Sequence, residues 1–179
     1  NVPGAQVLAN SLKVSSGAVN AAAQTTYGNQ SVVFPQKEYK IGSYVVNGSS
    51  VESVNLFDLA LTVTVTDGAD PDVVAVRNVY AVIDGVKDTA IKTNATTAAA
   101  AGTYNFSINK ELAKNATTVV EFYADIDVAG TIVSTPTVAT ALVASGTGAN
   151  SGATLSNSSA PGQTSTYATP AIAITRGAS

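Results

Sequence analysis

The sequence predicts an all-β protein, a single immunoglobulin-like (Ig-like) β-sandwich with an extended N-terminal strand. Segments in which apolar and polar residues alternate recur along the chain, as in residues 59–66, and this alternation is typical of a strand with one buried face. Residue pairs that tolerate positive φ separate the segments, and Asp84-Gly85 between two apolar stretches predicts a hairpin. Short strands at a spacing of roughly 8–12 residues favour a sandwich.

The individual strands are predicted from alternation, or from apolar density where both faces are covered. Residues 73–83 have the dense pattern of a central strand. In chain order, the predicted strands are residues 31–34, 38–46, 51–57, 59–66, 73–83, 88–93, 103–108, 119–126, 131–143 and 167–175. The predicted loops are residues 98–101 and 146–152, and the one helix candidate is a single turn over residues 109–114.

The first 30 residues differ in composition from the rest, with Lys13 as their only charged residue. Residues 6–15 still have a strand pattern, in which Leu8, Leu12 and Val14 share one face and Asn10 lies between them. Residues 19–27 resemble a flexible linker. We therefore expect residues 1–30 to be an N-terminal strand and linker, and residues 31–179 to be the β-sandwich domain. Three interpretations of the strand stay open: it is donated to another subunit, it belongs to its own sandwich, or it is disordered.

Composition excludes several classes of function. The 179 residues contain no His and no Cys, so the usual serine and cysteine nucleophile pairs and the common zinc and haem ligand sets are absent. The protein is therefore not expected to be an enzyme. Its net charge of -3 argues against nucleic acid as a partner, because nucleic-acid binding depends on clusters of Lys and Arg.

The chain is also predicted to be secreted and free of membrane spans. No run of about 18 apolar residues is present, which is the minimum for a spanning helix. The sequence starts at Asn1 without a basic and apolar leader, as in a mature chain whose signal peptide has been removed. We expect an extracellular or cell-surface location.

The central segment, "DVVAVRNVYAVIDGVKD" followed by "GTYNFSINKELAKNATTVVEFYADIDV", resembles a β-sandwich module of prokaryotic secreted surface proteins. The shared pattern is a strand, the Asp84-Gly85 hairpin, a Gly-Thr strand with an aromatic residue, a polar turn and a strand ending in Ala-Asp-Ile. The later "SGTGANSGATLSN" fits the closing turn and strand of that module. The resemblance covers residues 50–160 and implies a fold rather than an activity.

A second resemblance is one of layout. A single β domain with a strand-like N-terminal extension and many glycosylation sequons is similar to subunits of donor-strand extracellular filaments, including archaeal thread-like pilins. In that family the N-terminal strand of one subunit completes a sheet of the next. The resemblance implies that Leu8, Asn10, Leu12 and Val14 form the donor strand and that the partners are identical subunits.

Six Asn-X-Ser/Thr sequons suggest N-glycosylation, which would require export. Their asparagines are expected to reach solvent, in turns, at strand ends or, for Asn105, on the exposed face of a strand. The six are Asn29, Asn47, Asn94, Asn105, Asn115 and Asn157. The simpler interpretation is a polar loop surface without glycans.

An acidic loop is a weak candidate for structural Ca²⁺. Asp67, Asp70 and Asp72 lie within six residues, and Ca²⁺ prefers oxygen ligands. The pair Asp125 and Asp127 faces one way on a predicted strand and is considered as a second contributor. The simpler interpretation is a solvated turn between two strands. Apart from Ca²⁺ and N-glycans, no cofactor is expected.

Five lysines near strand patterns are candidate donors of isopeptide crosslinks, and the simpler interpretation is that they are exposed. They are Lys37, Lys40, Lys87, Lys92 and Lys110.

The sequence therefore favours a structural subunit of an extracellular filament that polymerises head to tail by donor-strand complementation. The alternative is a monomeric adhesin or carbohydrate-binding module of a cell-surface protein, with cell-surface glycans as partners. The two hypotheses differ in oligomeric state, because only the filament subunit should polymerise through its N-terminal segment.

Overall fold

The computed structural model describes residues 17–68, 73–99 and 101–170. These residues form twelve β-strands and no helix, so the described part of the chain contains no helix capable of crossing a membrane. The strands are β1 (Asn20–Ala23), β2 (Gln30–Val32), β3 (Gln36–Asn47), β4 (Val54–Thr66), β5 (Val74–Ile83), β6 (Val86–Lys87), β7 (Thr96–Thr97), β8 (Gly102–Leu112), β9 (Thr117–Val128), β10 (Thr137–Gly148), β11 (Thr154–Ser156) and β12 (Ala160–Tyr167).

The strands form two sheets that pack as a sandwich, which confirms the all-β prediction. Sheet A has the order β1-β3-β9-β5-β6, with β7 also paired to β5, and sheet B has the order β2-β12-β10-β4-β8, with β11 also paired to β10. Every pairing is antiparallel except that of β2 with β12, which is parallel. The Ig-like detail stays a prediction.

The core lies between the sheets and follows the alternation in the sequence. On β4, Leu59, Leu61 and Val63 are fully buried, while the residues between them face outward or are half-buried. The ring of Phe122 on β9 packs edge-on against Tyr44 of β3, with ring centroids 5.9 Å apart. Burying one such side chain stabilises the fold by about 1.5–3 kcal/mol.

A glycine allows β12 to pass close to a buried tyrosine. The Tyr44 hydroxyl donates a hydrogen bond to Oγ1 of Thr140 at 2.8 Å. A Cβ at Gly162 would lie 2.0 Å from the Tyr44 hydroxyl oxygen and 2.5 Å from Thr140 Oγ1. Only glycine fits at that position without displacing both side chains.

The predicted hairpin at Asp84-Gly85 is confirmed. Ile83 pairs with Val86, and both turn residues have positive φ, +48° for Asp84 and +82° for Gly85. Two positive values in succession are the signature of a type I′ turn, whose twist matches that of the flanking strands.

The expected linker over residues 19–27 is wrong, because this segment belongs to the sandwich. Val19 is 1% exposed in the core, and β1 pairs antiparallel with the end of β3. Its run of three alanines resembles a linker, yet small side chains suit an edge strand packed closely against β12. The expected strand pattern of residues 6–15 lies outside the described residues.

Two further predictions were wrong because the register shifts within a strand and its alternation of apolar and polar residues is broken there. The helix turn expected over residues 109–114 is instead the end of β8, where buried Leu112 pairs with Val54. The two strands expected over residues 51–57 and 59–66 are one strand, β4. Its alternation is interrupted by a bulge at Phe57, the extra residue of β4 where the register shifts against β10.

The remaining differences concern strand ends. Strand β10 starts at Thr137 and continues to Gly148, into the predicted loop. Residues 88–93 form an isolated bridge between Val79 and Lys92 instead of a strand. Strand β12 ends at Tyr167, where the predicted strand 167–175 begins, and residues 171–175 of that prediction lie outside the described part of the chain.

Candidate assembly interface

Strand β8 presents a long free edge at one side of sheet B. It pairs along its length with β4, and no other described strand pairs with its opposite side. At 11 residues it is much longer than the other edge strands, β1, β2 and β6, which have four, three and two residues. A strand edge of this kind carries a row of N–H and C=O groups that can pair with another chain.

Inward-facing side chains anchor β8 in the core of the sandwich. Tyr104 and Phe106 point into the core and are each 1% exposed. The Tyr104 hydroxyl lies 2.8 Å from Thr96 Oγ1 and donates to the backbone oxygens of Asn94 and Val76. Burial raises the pKa of Tyr104, so the phenol stays a neutral donor. Because the core below β8 is closed, an added strand would extend the sheet at its edge rather than fill an open groove.

One ion pair lies near the C-terminal end of β8. Lys110 Nζ lies 2.8 Å from Asp84 Oδ2 at the β5–β6 hairpin. Burial opposes ionisation of Asp84, but hydrogen bonds from Lys110, the Val119 N–H and Thr118 outweigh it and hold its pKa below the usual range. Charged side chains on an edge discourage unspecific pairing.

The described chain enters and leaves the sandwich at opposite ends. Gly17 lies against Ser49 and Leu155, and Leu155 pairs with Gly146 near the end of β10. Tyr167 donates its N–H to the Pro136 carbonyl, next to the start of β10. Gly146 and Pro136 are ten residues apart in the sequence, so these two points are separated by about 33 Å along β10. This arrangement is geometrically suited to head-to-tail connection.

Glu52 anchors the loops at the end where Gly17 enters. Its Oε2 accepts the N–H groups of Asn150 and Ser151 at 2.7 and 2.9 Å, and its Oε1 accepts the Ser151 hydroxyl at 2.6 Å. These hydrogen bonds, with that of the Ser151 hydroxyl foremost, lower the pKa of Glu52. The sequence places Glu52 in the predicted strand 51–57 and gives no sign of its role in these loops, because a single Glu carries no recognisable pattern.

The expected donor residues Leu8, Asn10, Leu12 and Val14 lie outside the described residues, so their role stays a prediction.

The six sequons fall into two groups in the structure. Four asparagines are exposed, namely Asn29, Asn94, Asn105 and Asn115, while Asn47 and Asn157 are half-buried. Asn157 also bonds through both atoms of its amide. Its Oδ1 accepts the Ala144 N–H at 2.6 Å, and its Nδ2 donates to the Leu142 carbonyl at 3.1 Å. This side chain therefore extends the hydrogen bonding of β10, unlike the solvent-directed side chain expected from the sequence.

The acidic loop is described only at its first carboxylate. Asp67 is 2% exposed, and its Oδ2 accepts the Val74 N–H at 3.0 Å. Asp67 is thus a buried cap for β5, whereas the simpler interpretation had expected a solvated side chain. Asp70 and Asp72 lie outside the described residues. Within the described ranges no three His, Cys, Asp or Glu side chains are grouped as metal ligands, and the Ca²⁺ site stays a prediction.

The second carboxylate pair is neutralised by the protein's own cations. Lys37 Nζ lies 2.7 Å from Asp127 Oδ1 and 3.4 Å from Asp125 Oδ2. Arg77 Nε lies 2.7 Å from Asp127 Oδ2. With these partners in place, Asp125 and Asp127 do not form an open cation site.

The five lysines weighed as crosslink donors all contact acidic or aromatic side chains. Besides Lys37 and Lys110, Lys40 pairs with Glu121 at 2.9 Å. Lys87 and Lys92 lie over the rings of Tyr80 and Phe106, at 4.0 and 5.9 Å from the centroids. The Asp127 carboxylate raises the pKa of Lys37, which keeps this amine protonated and poorly nucleophilic.

No protein-family model matches this sequence, and comparisons with curated proteins and with solved structures give no significant match.

Proposed function

We propose that this protein is a structural subunit of an extracellular filament, in which residues 6–15 of one subunit add a strand to the β8 edge of the next. The observation that carries the proposal is the 11-residue free edge of β8, on a sandwich whose described chain enters at one end and leaves at the other.

The direction of the chain suits this arrangement. Strand β8 runs from Gly102, level with Val63 of β4, to Leu112, level with Val54 near the end where Gly17 enters. A segment that extends from Gly17 of one subunit onto the far end of the next would meet β8 at Gly102. It would then lie antiparallel to β8, which is the more stable way for two strands to pair.

The lengths also agree. The 16 residues before Gly17 span at most about 53 Å when extended. The ten residues 6–15 would cover about 33 Å, close to the length of β8. Leu8, Leu12 and Val14 would continue the apolar row of Tyr104, Phe106 and Ile108. Each newly buried aliphatic side chain would contribute about 1.5–3 kcal/mol, and each main-chain hydrogen bond about 0.5–1.5 kcal/mol.

Electron microscopy and sedimentation of the full chain test the polymer. We expect uniform thin fibres, and we expect Leu8→Asp with Leu12→Asp to abolish them while the circular dichroism of the domain is unchanged. Fibres that persist in this variant refute strand donation. A monomer at every concentration would favour the alternative, an adhesin or carbohydrate-binding module.

Cysteine pairs test the acceptor edge, because the natural chain has no Cys. Ser11→Cys is combined in turn with Thr103→Cys, Ser107→Cys and Glu111→Cys, and with Thr64→Cys on the interior strand β4 as the matched control. We expect an oxidised ladder of covalent oligomers with one β8 position and none with Thr64→Cys. Fibres without a ladder at any β8 position would show that another edge accepts the strand.

A further inference from the structure

A cavity of about 280 Å³ lies on the outer face of sheet A, away from the β8 edge. Its lining residues come from three neighbouring strands and from the segment that runs beside β5. They are Glu38, Asn78, Tyr80, Ile91, Thr93 and Asp125. The cavity is independent of the filament proposal, since neither residues 6–15 nor β8 contribute to it.

Two bulges on either side of β9 shape this cavity. The register shifts in β3 between Gln36 and Tyr39 and in β5 between Arg77 and Tyr80. Each bulge contains a non-glycine residue with positive φ, +48° at Glu38 and +56° at Asn78. Bulges redirect side chains out of the regular pleat, and here both bulges line the cavity.

Asp125 forms the floor of the cavity and accepts a hydrogen bond from each of the two bulges. Its Oδ1 accepts the Glu38 N–H at 2.9 Å, and its Oδ2 accepts Nδ2 of Asn78 at 2.7 Å. Burial opposes its ionisation, but these hydrogen bonds and the charge of Lys37 hold its pKa below the usual range. The floor is therefore rigid and ionised before any ligand arrives.

The walls are also held in place. The Tyr80 ring stacks on Tyr123 with centroids 5.5 Å apart and planes 11° apart, and Lys87 Nζ lies 4.0 Å from its centroid. Lys92 exchanges two main-chain hydrogen bonds with Val79, at 2.8 and 2.9 Å, which fixes the segment that carries Ile91 and Thr93. Ile91 is apolar yet 45% exposed.

The lining combines an apolar wall with several separate hydrogen-bonding groups. Tyr80 and Ile91 offer apolar surface, and the two carboxylates, the Asn78 amide, the phenol and the Thr93 hydroxyl offer donors and acceptors. The lining has two carboxylates and no basic side chain, and Lys37 beside the floor is already paired with Asp125 and Asp127, which disfavours phosphorylated or carboxylated ligands. The volume is at the lower end for ligand sites and suits one small ring. We propose that this cavity binds a single ring of a neutral saccharide.

Nuclear magnetic resonance titration tests the proposal, with the ¹⁵N-labelled full chain carrying Leu8→Asp and Leu12→Asp so that fibre formation does not broaden the spectra. The probes are the methyl glycosides of glucose, galactose, mannose and N-acetylglucosamine, with n-butylammonium as the cationic competitor. We expect one glycoside to shift the amides of Asn78, Ile91 and Thr93 saturably. Titrations in which no glycoside does so, or in which only n-butylammonium does, overturn the proposal.

Variants locate the binding. Thr93→Val removes one hydroxyl from the lining and should weaken glycoside affinity about tenfold, which corresponds to about 1.4 kcal/mol. Thr103→Val, an exposed threonine on the far sheet, is the matched control and should leave affinity unchanged. Tyr80→Ala removes the aromatic wall and should abolish the saturable shifts, with thermal unfolding checked in parallel. Equal affinities for Thr93→Val and Thr103→Val would overturn the assignment to this cavity.

Discussion

Replacing Asp125 by alanine should destabilise the sandwich strongly, because this carboxylate joins three strands of sheet A. Its residue is 8% exposed, and both of its oxygens accept hydrogen bonds from neighbouring strands. The substitution removes the shared acceptor and leaves the Glu38 N–H and the Asn78 amide without it.

The size of the effect follows from these contacts. Hydrogen bonds to a charged group contribute about 1.5–3 kcal/mol each, so two bonds give a gross loss of about 3–6 kcal/mol. The ion pair with Lys37, whose side chain is 66% exposed, adds less than about 1 kcal/mol. Water reaches Glu38 and Asn78 in the variant and recovers part of the loss. The free energy of unfolding should fall by about 2–4 kcal/mol.

Urea unfolding followed by far-ultraviolet circular dichroism measures this change, and tyrosine fluorescence is a second probe because the chain has no Trp. For a chain of this size the midpoint of thermal unfolding should fall by roughly 5–15 °C. Asp127→Ala is the matched control. It removes two ion pairs at 2.7 Å, but their cationic side chains are 66% and 46% exposed, so it should cost about 1 kcal/mol or less. Equal losses in the two variants would refute the reasoning.

Three further predictions concern packing, glycosylation and pH. Gly162→Ala should lower the free energy of unfolding, measured with urea, by about 1–3 kcal/mol, because its Cβ overpacks against Tyr44. Gly28→Ala is the control and should be nearly neutral, because no atom lies within 4 Å of its new Cβ. Equal effects of the two variants would contradict the packing argument. After expression in an N-glycosylating host, glycopeptide mass spectrometry should find Asn94 occupied more than Asn157, whose amide is engaged in β10, and the reverse order would contradict this. Folding lowers the pKa of three carboxyl groups, so their contribution to stability is complete above their unfolded pKa of about 4 and is lost as pH falls through the lower folded values. The thermal midpoint should therefore be level from neutral pH to about pH 5 and then fall, and a midpoint that rises in acid would contradict the assignment. The three groups are Glu52, Asp84 and Asp125.

The sequence predicts the regular strands well, because the alternation of apolar and polar residues follows the alternation of buried and exposed side chains along a strand. The pattern of residues 59–66 and the Asp84-Gly85 turn both correspond to the structure. Irregular positions could not be predicted in the same way. The bulge at Phe57, opposite β10, breaks the period of two within one strand, so the sequence predicts two strands where β4 is continuous. At β1, three alanines carry no amphipathic signal; Ala21 and Ala23 are half-buried and Ala22 is exposed, and the packing of β1 against β12 joins segments far apart in the sequence.

The two candidate sites were not predictable from local pattern. The free edge of β8 depends on strand order, which places β4 on one side and nothing described on the other. The cavity on sheet A depends on two bulges on different strands, brought to either side of Asp125 by contacts that span 87 and 47 residues of sequence. Glu38 and Asn78 carry no motif, and their positive φ values arise only from the bulges that contain them.

The parallel pairing of β2 with β12 has a mechanical consequence. In β2 the chain runs toward the end of the sandwich at which β12 finishes, and Gly17 enters at the other end. Tension applied between the two ends of the described chain loads β1 first, and once β1 has separated from β3 it would pull β2 and β12 in opposite directions along their common axis. Their hydrogen bonds would then be stretched sideways together, instead of opening one after another from a single end. The pairing of the second strand with the last described strand thus resists pulling along the long axis.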